Sequence, residues 1–232
     1  MSHRMWAILT VIAGLAMLVS TVASGTLGEV AALGDCAVDG FIIRYELARD
    51  AADLVNVFGA AGDACRPLRV DAMDALNRID LFWFVPGYVV FLVCGGFFLA
   101  GRRRLPVAIA AGALAVIAGV LDVFETLRLL AASPDHAPDA GQMTTIYWLA
   151  TGKFVLLVLN ALVLAWLALS KRSIARLIAA GLLCLPVFGM AAMYVDLQFI
   201  SAQTLSFTLA WLGVLALAIG GVFARPAEGA AQ

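Results

Sequence analysis

The side chains in this chain that could do chemistry lie inside or at the edges of apolar stretches, where ionisable groups are costly and mark a functional site by default. Asp80 opens one such stretch, and Asp122, Glu125 and Arg128 lie toward the end of the next. Lys153 sits about ten residues, roughly 15 Å, into the one after it. Tyr194 and Asp196 close a fourth. Asp122 or Glu125 could serve as a general base, and Lys153 or Arg128 could hold an anionic head group. Asp80, Asp122, Glu125, Arg128, Lys153 and Asp196 together hold four acids and two bases. That surplus of negative charge suits a proton or cation site. A plainer role stands beside this one. Asp80, Asp122 and Asp196 also suit solvated positions at headgroup level, and Lys153 suits a structural partner of Asp122 or Glu125 that fixes helix register.

Other reaction types lack their residues. With only two histidines, His3 and His136, neither a bis-histidine haem nor a zinc hydrolase is credible, and no H-E-x-x-H, G-x-S-x-G or Walker A motif is present. No metal site and no cofactor is therefore expected. Asp135, His136 and Asp139 share a short polar loop and read as solvated surface. With a net charge of −1 and no basic run interleaved with aromatics, nucleic acid is not a partner.

The elements that position these groups follow from composition. Hydrophobic residues make up 63% of the chain and charged residues 13%, outside the range of soluble domains. Runs long enough to span a bilayer cover 5–24, 79–101, 105–131, 143–170, 177–197 and 204–224. If all six cross, then Arg4, Arg102–Arg104, Lys171, Arg172, Arg176 and Arg225 all fall on one side. The positive-inside rule makes that side the cytoplasm, with both termini in it. The chain thus reads as an all-α, multi-pass protein of the inner (cell) membrane, a bundle of about six transmembrane helices. Its parts are a first helix over 1–24, an outward helical segment over 25–78, a five-helix bundle over 79–224 and a cytoplasmic tail over 225–232. The first run also fits a signal peptide cleaved near Val22-Ala23-Ser24-Gly25, which would leave five spans. Trp83, Tyr147 and Trp148 suit an outer aromatic belt, and Trp6 and Trp166 an inner one.

In the outward segment, Leu47, Ala51, Leu54, Val55 and Phe58 recur at helical spacing, which predicts one helix over 41–58 stopped by Gly59. A second helix starts after Pro67. Cys36 and Cys65 bracket the first and suit a disulfide in an oxidising compartment, two free thiols being the alternative. Within the bundle, Ala108, Gly112, Ala115 and Gly119 step along one face of the third run toward Asp122. Ala111 and Ala118 lead to Glu125. Small residues mark close helix approach, so both carboxylates should face inward. Lys153 and Asn160 share a face of the fourth run. Pro186, Gly189, Met193 and Asp196 share one of the fifth, and Pro86-Gly87-Tyr88 predicts a break in the second.

Three functions fit. The first is binding or transport of an ion or a small polar or lipid ligand through an outward-facing charged intramembrane pocket. The second is a membrane-embedded lipid-modifying enzyme, weakened by the lack of a nameable nucleophile or metal. The third is an accessory or assembly subunit whose outward segment docks a membrane-protein partner. The lipid bilayer is a partner in all three.

Overall fold

A backbone crossing hydrocarbon must satisfy its own polar groups, and helices do this within a single segment. In a computed structural model of the chain, six helices are long and apolar enough to cross a membrane. The structure describes residues 1–23, 31–101, 104–133, 139–170 and 173–224, so Asp135 and His136 lie outside the described residues. The helices are α1 (His3–Val22), α2 (Phe41–Glu46), α3 (Ala51–Phe58), α4 (Arg66–Ile79), α5 (Val85–Ala100), α6 (Leu105–Ala131), α7 (Ala140–Ala168), α8 (Ile174–Val195) and α9 (Ile200–Phe223). The six spans are α1, α5 to α9. Each packs on the next in chain order, and α9 returns to α1, so the bundle is a closed ring.

Local chemistry starts several of these helices. Ser2 and Ser173 accept from backbone amides at the starts of α1 and α8, and Asp139 forms a capping box with Gln142 at α7. The small-residue stripe of α6 is buried as expected, with Ala108, Ala111, Ala115 and Ala118 sealed from solvent. Gly119 continues it. A Cβ at Gly119 would collide with the Val89 side chain of α5, so the two backbones can approach only because that atom is missing. Gly119→Ala should therefore destabilise the bundle by about 1–3 kcal/mol. A thermal melt in detergent tests this, and an unchanged midpoint would show that α5 and α6 can part at no loss.

The second span departs from expectation. The irregularity is not at Pro86-Gly87-Tyr88 but in the turn before it: Asp80–Phe84 forms a π-helical turn that joins α4 to α5 without a break. The Val85 amide there donates to the Asp80 carbonyl, five residues back. Pro86 has no N–H, and its ring crowds the preceding turn, which a wider turn relieves.

Residues 31–79 form a helical cap over one end of the ring, beginning with a 3₁₀ stretch at Ala31–Cys36. Cys36 and Cys65 are joined by a disulfide. The helix predicted over 41–58 is two helices. Asp50 accepts from the amides of Ala52 and Asp53, and Asp53 from that of Arg49, so a new helix starts where the old one would have run on. The cap has its own apolar core. Phe41, Tyr45, Phe58 and Met73 pack there with Leu129 of α6 and with Met143 and Ile146 of α7. Tyr45 also donates to the Leu129 carbonyl at 2.8 Å. Burial, with Asp74 adding to it, pushes the Tyr45 phenol upward, so it remains the donor. Gly40, in left-handed conformation (φ 65°), lets the cap turn closely over α9. A Cβ there would stand 2.7 Å from the Ile200 side chain.

Candidate functional site

The cap lowers one carboxylate into the bundle. Glu46 ends α2, with its side chain 7% exposed, and its Oε1 lies 3.2 Å from Lys153 Nζ. From α6, Asp122 Oδ1 approaches Nζ at 3.0 Å and Glu125 Oε2 at 2.8 Å. One ammonium thus stands among three carboxylates, all sealed from solvent. The Asp122 contact is a well-formed hydrogen bond. Glu125 Oε2 is closer but out of line for one, and its Oε1 has no partner. Distance governs the Coulomb attraction, so we count Glu125 as an ion pair and not as a hydrogen-bond acceptor.

A further group of side chains completes the floor. Tyr88 on α5 donates to Asp122 Oδ2 at 2.9 Å, and Thr126 donates to Asp80 Oδ2 at 3.3 Å. Lower in the bundle, Asn160 donates to the Ala111 carbonyl at 2.7 Å, tying α7 to α6. The structure therefore brings together Asp80, Asp122, Glu125 and Lys153 of the six residues singled out in the sequence. Arg128 and Asp196 lie apart from them, both exposed. Asp196 instead caps the turn Leu197–Phe199 by accepting from the Gln198 amide.

Four residues at this site escaped sequence reasoning. Glu46 lay in a segment read as extramembrane, and the only signal was an acid on the apolar side of Phe-Ile-Ile-Arg-Tyr-Glu-Leu. Tyr88 was read only as part of a helix break. Trp211 carries no mark that sets it apart from the rest of the last apolar run, and Gln203 lies just ahead of that run.

Above the floor is a cavity of about 740 Å³. Glu46, Asp80, Asp122 and Lys153 lie at its base, and most of the remaining lining is apolar. One wall is aromatic: Trp211 of α9 packs against Tyr88, Phe84, Phe91 and Phe207, with ring centroids 5.8–6.5 Å away. The lining residues that remain exposed include Thr21 on α1 and Thr204, Leu205, Thr208 and Leu212 on α9. They place the mouth at the seam between these two helices. Two wall groups are unpaired: Glu46 Oε2, and both polar atoms of the Gln203 amide, a residue 1% exposed. Buried polar atoms without partners cost on the order of 1–3 kcal/mol each, so two on one cavity wall call for an explanation.

Glu46 belongs to the cap, so its titration can be read. Burial raises its pKa above 4.5, Lys153 opposes this, and Asp122 adds to it. Glu125 on α6 and Asp80 before α5 are the other charged groups in the cluster. A carboxyl held above its unfolded value contributes stability below that value, and the contribution is lost as pH rises through the folded one. Between wild type and Glu46→Gln, then, only the wild type should lose this increment of melting temperature from pH 4.5 upward. Parallel pH profiles for the two proteins would remove Glu46 from the cluster. No protein-family model, curated protein or solved structure matches this chain.

Proposed function

We propose that this multi-pass membrane protein binds a small polar or lipid ligand in the cavity beneath its cap, and that it is not an enzyme. One observation carries the reading. A cavity sized like a small-molecule site, about 740 Å³, ends on a buried charged floor with an unpaired carboxylate oxygen. A purely structural ion pair needs no cavity beside it. It also needs no third carboxylate on one ammonium. Catalysis is disfavoured because Lys153, the one amine at the site, is already paired with three acids and so is not free to act as a nucleophile.

The cap faces the outside of the inner membrane and both termini face the cytoplasm. A disulfide persists only in an oxidising compartment, and in the sequence the short loops that join the spans on the other side carry Arg102–Arg104, Lys171 and Arg172. The cavity is then open to the outer leaflet.

The test is a thermal melt of the purified protein with dodecylamine, dodecyl phosphate, dodecanol or sodium chloride. At least one should raise the midpoint in proportion to the logarithm of its concentration, and the rise should shrink in Glu46→Gln. If none does so, the binding reading falls. The cap as a docking platform for a partner protein then takes its place.

A further inference from the structure

Resting on that reading, we infer that the cavity takes a single-chain amphiphile whose head is a protonated amine. Three features on different elements converge on that head. The first is charge. Three carboxylates surround one ammonium, and Asp80 adds a fourth acid on the same floor, so an arriving head meets negative potential. The second is hydrogen bonding. Lys153 donates to Asp122 and stands within ion-pair distance of Glu46 and Glu125, so its charge is already met before a phosphate or carboxylate head could arrive. The unpaired atom on Glu46 is an acceptor, Oε2, whereas the Gln203 amide is unpaired at both an acceptor and a donor and does not discriminate between heads. An amine supplies the N–H group that Glu46 Oε2 lacks. The third is the aromatic wall of Tyr88 and Trp211, whose ring faces attract a cation.

The tail follows from the walls. Met17, Leu18, Phe154, Leu157, Leu212 and Leu215 line the cavity, and its mouth opens sideways at the α1–α9 seam. An alkyl chain entering from the bilayer would leave lipid only for other apolar surface. The head would trade water for carboxylates. An inorganic cation would satisfy the floor but leave the apolar volume without a purpose, and an anionic lipid would satisfy the walls but not the floor.

The experiment is a competition of heads on one tail. Dodecylamine, dodecyl phosphate and dodecanol are titrated into the detergent-purified protein, and apparent Kd is read from the thermal shift and from quenching of tryptophan fluorescence. Dodecylamine should bind at least about tenfold more tightly than the other two. Glu46→Gln should weaken the amine at least about tenfold while leaving dodecanol unchanged, as expected for loss of one charge-assisted hydrogen bond. Should Glu46→Gln fail to fold, Asp80→Asn replaces it, removing a negative charge from the same floor, and should also weaken the amine selectively. Dodecyl phosphate or dodecanol binding as well as the amine would overturn the amine head while leaving the cavity as a lipid site. No binding by any of the three would overturn both.

Discussion

Lys153→Met is expected to lower the melting temperature more than any other single charge substitution, by on the order of 10 °C. The reasoning starts from the count of partners. Nζ lies 3.2 Å or less from Glu46, Asp122 and Glu125, and its side chain is 5% exposed. Removing one member of a buried ion pair costs about 3–5 kcal/mol, because the remaining charge has no counter-ion. Here three carboxylates would be left facing one another. For a chain of this size each kcal/mol moves the midpoint by about 2–4 °C. Asp122→Asn should behave quite differently. It removes one of three competing negative charges and leaves an amide oxygen to accept from Tyr88, so its effect alone should be small. The double variant should lie well above the sum of the two single effects, with a coupling of about 0.5–3 kcal/mol. A Lys153→Met melt within a degree of wild type would mean that the ammonium is not holding the carboxylates together.

Which parts of this site could be read from the sequence depended on the physical signal each residue carried. The α6 carboxylates were legible because Ala108, Ala111, Gly112, Ala115, Ala118 and Gly119 mark the interior face for about three turns before Asp122 and Glu125 continue it. Lys153 was legible because a lysine far from either end of a span has no route to water. Glu46 carried no such mark. Its burial depends on how the cap folds back over the ring, and the apolar spacing of 41–58 concealed the break that makes this possible. That break comes from one hydrogen-bonding side chain, Asp50, which outweighs the helical periodicity on either side. Arg128 and Asp196 fall outside the cluster for a related reason. Both sit at span ends, where helix phase no longer determines facing: Asp196 takes its position from the turn it caps, and Arg128 is exposed where α6 meets the cap end. The cavity itself lies beside the cap among α1, α5, α7 and α9, and nothing in the apolar runs of these helices records the space they leave.

Replacing both Cys36 and Cys65 with serine is the second large effect expected. The bond closes a loop of sequence separation 29, and in the chain-entropy account its loss costs about 3–4 kcal/mol, close to the Lys153 effect. The position of the bond makes the consequence specific. It joins the 3₁₀ stretch ahead of α2 to the residue that begins α4, and Arg69 donates to the Cys36 carbonyl at 2.7 Å across the same junction. Everything between the cysteines is therefore the segment that carries Glu46. The apolar core under the cap, with Tyr45 anchored on α6, should keep α2 in place when the protein is fully folded. Removing the bond should therefore lower the midpoint without abolishing the cluster. It also frees the cap to open ahead of the bundle, so Glu46 would spend part of its time away from Lys153. The pH-dependent difference between wild type and Glu46→Gln should then shrink in the cysteine-free background. A reducing agent should reproduce both results in the unaltered chain. If the midpoint falls but that difference stays at full size, the cap and the charged floor are separate devices. If both fall together, the disulfide is what holds Glu46 against Lys153, and the oxidising side of the membrane is where this site is complete.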